Sequence, residues 1–199
     1  PRTVKAERTI EVVNLQATEA ARKQAAESVP KVFVFDPAAS KLSEDKLGAT
    51  FALLQEVAAL RRKRNTAANS IRDLIYRLPI SLSPGALETL TRSTPENLRE
   101  MEQRSHELLW RVLETGVRTD QMADARRQIM QESESRFASL STSARQAIVE
   151  VAAECVVPNR NFDRDATLGA QEAAMAEVKP VTTVVPEGVV VIREEIGRA

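Results

Sequence analysis

The chain has 199 residues, of which 43% are hydrophobic and only 4% aromatic, so its core must consist mainly of Leu, Val, Ile and Ala. Its 28 basic residues balance 28 acidic ones, which excludes the strongly basic character of proteins that bind nucleic acid or anionic membranes. One cysteine excludes an intramolecular disulfide, and no stretch approaches the ~18–20 apolar residues of a membrane span. Because the chain opens at Pro1 with no initiator Met or signal-peptide pattern, we expect it to be part of a longer protein.

The first segment of the chain predicts a strand, a helix and a second strand. Thr9–Val13 has the β-branched composition of a strand. Asn14 is a good N-cap residue for the Ala-rich helix that follows, and a proline marks the break after that helix. The stretch Val32–Phe35, which ends shortly before Pro37, predicts a second short strand.

Residues 40–157 predict a helical insertion. Apolar residues recur there at spacings of three and four, which is the pattern of helices that bury one face in a bundle. The groups that show this pattern are Phe51, Leu54, Val57 and Ala58; Ile71, Leu74, Ile75 and Leu78; Leu98, Met101, Ser105, Leu108 and Val112; and Met122, Ala125 and Ile129, with Phe137 near the end of that helix. The simplest arrangement is an antiparallel bundle with short connections.

Capping residues mark the helix ends within this insertion. Ser83 and Thr94 each stand before a proline, which is typical of a helix start. Thr119 and Ser141 are the predicted caps of the next two helices. Gly116 is the predicted stop of the helix that Thr94 begins.

The last segment of the chain repeats the pattern of the first. Ala166 to Pro186 aligns without gaps to Ala17 to Pro37, and the same offset of 149 residues places Asp163, another good cap, opposite Asn14. The identical pairs are Ala17/Ala166, Thr18/Thr167, Ala21/Ala170, Ala25/Ala174, Val29/Val178, Val32/Val181 and Pro37/Pro186. The alternative is that two unrelated Ala-rich helices look alike.

If the repeat is real, the two chain ends form one compact α/β base. The Ala-rich helices have small faces that permit them to pack side by side. We expect Val32–Phe35 and Val181–Val185 to lie in one small sheet. After the turn signal Pro186-Glu187-Gly188, Val189–Ile192 predicts a further strand. The fold class is therefore α+β, mainly α: a helical insertion (40–157) in a small base formed by 1–39 and 158–199.

Residues with catalytic potential are few. His106, the only histidine, lies in an amphipathic helical pattern, and one His with one Cys cannot form the usual metal sites, so we predict a surface or boundary histidine and no metal site. Cys155 falls on the apolar face of a helix and is predicted to be a buried small residue rather than a reactive thiol. The carboxylates of the adjacent Glu194 and Glu195 would point apart. The chain also lacks GxGxxG and GxxxxGK[ST] phosphate-binding motifs, so no catalytic or cofactor-binding residue is assigned.

Two other features are candidate binding surfaces. Trp110 and Tyr76 are single aromatic residues within helical patterns, which favours a core or interface position over a stacking platform. The Arg-Arg-Lys-Arg run at 61–64 follows an apolar helical pattern and is either a solvated helix end or a docking patch.

The two end segments resemble those of a known family. "TVKAERTIEVVNLQATEAARKQAAESVPKVFVFDP" resembles the start of the extracytoplasmic domain of the bacterial seven-transmembrane HD phosphohydrolases, and "NFDRDATLGAQEAAMAEVKPVTTVVPEGVVVIREE" resembles its end. The closing motif of that family corresponds here to Lys179, Pro180, Val181, Gly188, Val190, Val191, Ile192, Arg193 and Glu194. Glu194-Glu195 departs from the family, in which a glycine often follows the arginine. The resemblance covers about 35 residues at each end and is weak in between.

The resemblance implies a function for the parent protein rather than for this chain. Family members carry this domain between transmembrane helices on the outer face of the bacterial membrane, and a cytoplasmic, divalent-metal-dependent HD domain degrades cyclic di-AMP. The implied role is a non-catalytic sensor or regulatory domain, without a cofactor of its own, that responds to an unknown small ligand or extracytoplasmic protein and that could form a homodimer. The alternative is a helical protein-interaction or dimerisation module without a small-molecule ligand.

Overall fold

The computed structural model describes residues 3–62 and 68–193, in which helices dominate and the strands are short. The strands are β1 (Thr3–Lys5), β2 (Ile10–Val13), β3 (Phe33–Phe35), β4 (Arg160–Phe162), β5 (Thr182–Val185) and β6 (Val190–Arg193). The helices are α1 (Leu15–Ser28), α2 (Pro37–Arg62), α3 (Ala68–Tyr76), α4 (Pro84–Arg92), α5 (Pro95–Thr115), α6 (Met122–Arg136), α7 (Thr142–Cys155) and α8 (Arg164–Glu177), with a short 3-10 helix at Thr119–Gln121. The predicted α+β class, mainly α, is confirmed.

The chain forms two compact units. One consists of Pro1–Val32 with Phe162–Ala199, and we call it the base; the other is Phe33–Asn161, and we call it the bundle. The sequence placed the corresponding limits a few residues further inward, at 39/40 and 157/158. Within the described part of the chain, no helix is both long enough and apolar enough to cross a membrane.

In the base, strands from the two chain ends pair with each other. β1 is antiparallel to β6, with Thr3 opposite Arg193. β2 is antiparallel to β5, with Ile10 opposite Val185 and Val13 opposite Thr182. The two ends of the described chain are therefore neighbours, as the repeat predicted.

The prediction of one small sheet containing both Val-rich strands is wrong. β3 pairs with β4, and β5 pairs with β2, so the two strands that follow the Ala-rich helices lie in separate strand pairs. The sequence did not predict β4 or β1, because Arg160–Phe162 and Thr3–Lys5 are as short as β3 and lack its unbroken run of Val and Phe. Each copy of the repeat is thus strand, helix, strand, and each strand pairs with a strand of the other copy.

The two repeat helices share the same bounds and the same cap chemistry. α1 begins after Asn14, whose side-chain oxygen accepts from the Ala17 N–H at 2.9 Å. α8 begins after Asp163, whose carboxylate accepts from the Ala166 N–H at the same distance of 2.9 Å. Shifting α1 by 149 residues reproduces α8 at both ends, so the repeat is structural and not a chance likeness of two Ala-rich helices.

Two threonines, one in each copy of the repeat, join the two copies through equivalent hydrogen bonds. The Thr18 hydroxyl accepts from the Val181 N–H at 2.9 Å, and the Thr167 hydroxyl accepts from the Val32 N–H at 3.0 Å. The N–H of each cap residue donates to the carbonyl of the same partner valine, at 2.8 and 3.0 Å. The base is therefore built as a two-fold exchange of equivalent contacts, like the self-complementary interface of a symmetric dimer.

Most of the predicted bundle caps are confirmed. The hydroxyls of Ser83, Thr94 and Ser141 accept backbone N–H groups at the starts of α4, α5 and α7. Gly116, at φ 81°, ends α5, and a Cβ there would collide with the Arg160 side chain. The cap predicted at Thr119 is wrong, because Thr119–Gln121 forms the 3-10 helix and α6 begins only at Met122.

The core of the bundle is aliphatic and continuous. Its fully buried large side chains come from α2, α4, α5, α6 and α7. They are Phe51, Leu54, Leu90, Leu98, Leu108, Leu109, Leu113, Ile129, Ile148, Val57, Val112 and Val151. Seven of these twelve are predicted apolar positions, and Ala58, Met101, Ser105, Ala125 and Phe137 are buried as well. The spacing therefore identified the buried faces of α2, α5 and α6. The other five predicted positions are only partly buried: Ile71, Leu74, Ile75, Leu78 and Met122.

Some predicted features lie outside the described residues. In the basic run at 61–64, Arg61 and Arg62 form the last turn of α2, and the Arg62 guanidinium donates to the Ser93 carbonyl at 2.9 Å. Lys63 and Arg64 lie outside the described residues. Glu194 and Glu195, the adjacent acidic pair, also lie outside them.

Candidate ligand-binding groove

The bundle carries an open groove of about 970 Å³ between α4, α6 and α7. Grooves of a few hundred to about a thousand Å³ are the size that small organic ligands occupy in proteins. The apolar part of the lining includes Ala86, Met130 and Val149, and half of the Met130 side chain is exposed. The groove therefore offers an accessible apolar surface within a mostly polar rim.

One end of the groove is fixed by a contact between α4 and α7. The Ser83 hydroxyl caps α4 by accepting from the Ala86 N–H at 3.2 Å, and it donates to the Glu150 carboxylate at 2.7 Å. The Ser83 backbone N–H also donates to the same carboxylate. Glu150 is thus an anion held at the N-terminus of a helix, where the helix dipole favours negative charge.

The remaining charges of the groove are only partly paired. On α4, Arg92 lies 3.0 Å from Glu88 in an ion pair that is mostly exposed. Arg145 on α7 and Glu134 on α6 also line the groove. Within residues 3–62 and 68–193, neither the Arg145 guanidinium nor the Glu134 carboxylate has a hydrogen bond or an ion pair.

Hydroxyl groups surround these charges. Thr89, Ser133, Thr142 and Ser143 contribute to the same lining. Hydroxyls both donate and accept hydrogen bonds, and no histidine or cysteine stands among the lining residues to act as a base or a nucleophile. The arrangement is suited to holding a polar organic molecule.

His106 lies in a second, smaller depression of about 580 Å³ between α2 and α5. Its ring is exposed, as predicted, and it shares the depression with Glu44, Asp45 and Glu102. Burial raises the pKa of Glu102, and the neighbouring His106 lowers it to a smaller extent. Among the described residues, no group of three or more His, Cys, Asp and Glu side chains is arranged to hold a metal ion.

Cys155 is fully buried at the end of α7, as the sequence predicted. Burial raises the pKa of its thiol to about 11, and Lys46 nearby lowers it to a smaller extent. Since the thiolate is the reactive form of cysteine, this residue is inert near neutral pH.

The two singled-out aromatic residues are not in the core. Trp110 on α5 is 50% exposed, and Tyr76 at the end of α3 is 80% exposed. The core alternative for these residues is therefore wrong. Trp110 lies on the outer side of α5, whose buried face is already filled by aliphatic residues, whereas none of residues 69–76 of α3, which carries Tyr76, is buried.

Asn159 is a structural residue that the sequence did not reveal. Its fully buried side-chain amide accepts from the Val117 N–H at 2.7 Å and donates to the Ser40 hydroxyl and the Leu113 carbonyl, both at 2.8 Å. It thereby ties the start of α2 to the end of α5. A single asparagine in a polar stretch gives no pattern by which this role could have been found.

Comparison with known proteins gives one result for this chain. A family model described as "7TM-HD extracellular" matches residues 1–196. No curated protein and no solved structure matches the chain. The matched description places the chain on the outer side of a membrane protein. Because the match spans nearly the whole sequence, paired terminal strands and helical bundle included, the chain belongs to the family of extracellular domains of 7TM-HD proteins.

Proposed function

We propose that this chain is the sensor domain of a membrane-anchored HD-type phosphohydrolase that degrades cyclic di-AMP in the cytoplasm. The domain itself is non-catalytic, and transmembrane helices of the same parent chain flank it. The divalent metal that the reaction requires belongs to the cytoplasmic HD domain. The family match supports the placement outside the cytoplasm.

The observation that carries the proposal is the pairing of β1 with β6. Thr3 lies opposite Arg193 in an antiparallel pair, so the chain enters and leaves the domain at one place. A domain inserted between two membrane spans needs this arrangement, because both of its ends must return to the same bilayer surface. A change in the paired strands would then reach both spans together.

Regulation follows from a difference in affinity. A ligand alters the parent enzyme only if it binds one conformation of this domain more tightly than another. In our proposal, the bound state changes the spacing or tilt of the terminal strands, and the membrane helices carry that change to the HD domain. The chain has one histidine and no His-Asp pair, so in our proposal the metal ligands of the HD site lie in another part of the parent.

The proposal can be tested by locking the terminal strands in the full-length parent. Glu11 and Val184 lie directly opposite each other in the β2–β5 pair and are both exposed, which suits a Glu11→Cys, Val184→Cys disulfide. The buried Cys155 is a poor competitor for such a bond. We expect oxidation to change the rate of cyclic di-AMP hydrolysis in membranes and reduction to restore it.

Each single-cysteine variant serves as the control and should not respond to oxidation. Equal hydrolysis by the fully cross-linked and reduced forms would contradict signal transfer through the terminal strands. A second measurement addresses catalysis: the isolated 199-residue chain with manganese should hydrolyse cyclic di-AMP no faster than manganese alone. Turnover above that background would show that the domain is itself an enzyme.

A second candidate function is a helical protein-interaction or dimerisation module. The exposure of Trp110 and Tyr76 favours it, since aromatic residues are enriched in protein interfaces. Analytical ultracentrifugation of the chain and of Trp110→Ala separates the two functions. Self-association that this substitution abolishes would support the dimerisation role.

A further inference from the structure

We propose that the groove between α4, α6 and α7 binds a short peptide of two to four residues with free termini. The inference rests on the proposed sensing function, to which it adds the class of ligand.

The charges of the groove fit a zwitterion. Arg145 is a cation without a partner among the described residues, and it can receive a carboxylate. Glu150, whose contacts are to Ser83 alone, can receive an ammonium group. A carboxylate has about four acceptor positions, so the contacts of Glu150 with Ser83 leave room for another donor.

The same charges disfavour ligands with several phosphates. Three carboxylates line the groove against two guanidinium groups, and one of those two, Arg92, is already paired with Glu88. A nucleotide would place two or more negative charges beside these carboxylates, where like charges repel. A ligand with one negative and one positive end avoids this cost.

The helices set the direction of the groove. Ser83 at the start of α4 contacts Glu150 near the end of α7. Thr89 and Ser93, towards the end of α4, share a small cavity with Ser141 and Ala144 at the start of α7. The two helices therefore run antiparallel, and the groove follows them with Glu150 towards one end and Arg145 towards the other.

The length of the groove fits a few residues of extended chain. Arg145 and Glu150 are five positions apart on α7, which is about 7.5 Å along the helix axis at a rise of about 1.5 Å per residue. An extended peptide advances about 3.3–3.6 Å per residue. Two residues span this axial distance, and a lateral offset of the two side chains extends the fit to three or four.

The floor and rim suit the rest of a peptide. Ala86, Met130 and Val149 offer an apolar surface for one side chain, and methionine adapts its shape to varied partners. The hydroxyls of Thr89, Ser133 and Thr142 can pair with peptide N–H and C=O groups. A free amino acid would leave most of the 970 Å³ unfilled.

The test is isothermal titration calorimetry of the 199-residue chain with the tripeptide alanyl-leucyl-alanine. Three comparison ligands are its N-acetylated form, its C-amidated form and free leucine. We expect the free tripeptide to bind, and each blocked form to bind at least about tenfold more weakly because one charge contact is lost. Free leucine should bind more weakly than the tripeptide.

Variants assign the contacts. Arg145→Gln should weaken binding of the free tripeptide at least about tenfold and remove its advantage over the amidated form, whereas Arg145→Lys should retain part of both. Glu150→Gln reports in the same way on the acetylated form. Arg22→Gln, an identical change on the exposed surface of α1, is the matched control and should leave binding unchanged.

The outcomes separate this inference from the proposed function. No heat of binding with about 1 mM free tripeptide, or equal binding of the free and doubly blocked peptides, overturns the peptide site. An effect of the β2–β5 disulfide on the parent enzyme would still uphold sensing in that case. Peptide binding that leaves cyclic di-AMP hydrolysis by the parent unchanged would uphold the site and contradict its role in sensing.

Discussion

The bundle and the base are stabilised in different ways. The bundle buries twelve large aliphatic and aromatic side chains almost completely, Phe51 and Ile148 among them. Among the described side chains of the base, only Ala6, Thr18 and Thr167 are buried. The bundle therefore depends on burial of apolar surface, whereas the base depends on strand pairing, on the packing of α1 against α8 and on a few hydrogen bonds.

This difference indicates which of the two units opens at the lower free-energy cost. A two-stranded pair alone is only marginally stable in water, and the base contains two such pairs with an exposed apolar ribbon that includes Val12, Val13 and Val184. Elements with few buried apolar contacts open at low free-energy cost. In the proposed sensing function, a signal that reaches the chain ends would act on the less stable unit.

The largest effect is expected in the bundle core. Phe51→Ala removes a side chain with no exposed surface and should lower the free energy of unfolding by about 3–5 kcal/mol, because it loses apolar burial and leaves a cavity. Urea denaturation followed by circular dichroism measures the change. A loss below about 1 kcal/mol would show that the core is not the source of the stability of the bundle.

The next effect is expected at the buried amide of the bundle. Asn159→Ala leaves the Val117 N–H and the Leu113 carbonyl without their buried partner, which should cost about 2–3 kcal/mol. Asn161→Ala removes an exposed hydrogen bond two residues away and serves as the control, with an expected change below about 0.5 kcal/mol. Similar values for the two variants would contradict the role assigned to Asn159.

In the base, we expect two equal and smaller effects. Thr18→Val leaves the Val181 N–H without its acceptor, and Thr167→Val does the same to the Val32 N–H. Each substitution should lower the free energy of opening of the base by about 1–2 kcal/mol. Hydrogen exchange at these two amides is the measurement, since it reports opening of the base separately from the bundle.

Thr91→Val is the matched control for both threonine variants. Thr91 is also buried, but its hydroxyl only donates to the Leu87 carbonyl of its own helix. It should leave the exchange of both valine amides unchanged. Strongly unequal effects of the two base variants would show that the two-fold exchange is not energetically symmetric.

The smallest effect concerns pH and Cys155. Burial raises the pKa of this thiol from 9.0 to about 11, so the unfolded chain loses its proton at a lower pH than the folded chain does. Stability is therefore unaffected by this group below about pH 8 and falls as pH rises from 9 to 11. At pH 9.5 the loss is roughly 0.8 kcal/mol.

Comparing the chain with Cys155→Ala isolates this contribution. The difference in unfolding free energy between the two proteins should shift by that amount between pH 7.5 and pH 9.5. An equal difference at both values would show that the thiol ionises as readily in the folded chain as in the unfolded one.

The sequence predicted the helices and their buried faces better than the pairing of the strands. Spacings of three and four identify a buried face from local residues alone, as at Leu98, Met101 and Leu108. Strand pairing depends on partners far away in the chain, and the repeat suggested one sheet where each strand instead pairs across the two copies. The identity of Thr18 with Thr167 was visible in the sequence, but its reciprocal hydrogen bonds were not.

The groove was not predictable from the sequence. Its lining comes from three helices, and its charged residues, such as Glu134 and Arg145, look like ordinary solvated positions in each helix taken alone. Only packing shows which of them lie together without a partner. Asn159 illustrates the same limit for a buried polar residue.

The reciprocal threonine contacts also constrain how the protein is made. Thr18 leaves the ribosome 163 residues before Val181, its hydrogen-bond partner, which corresponds to roughly 8–33 s at typical rates of synthesis. All residues of the bundle emerge during this interval, and helical folding is far faster than that. The N-terminal segment therefore cannot form these contacts until the C-terminal segment has been synthesised, and the two ends of the nascent chain become ordered together.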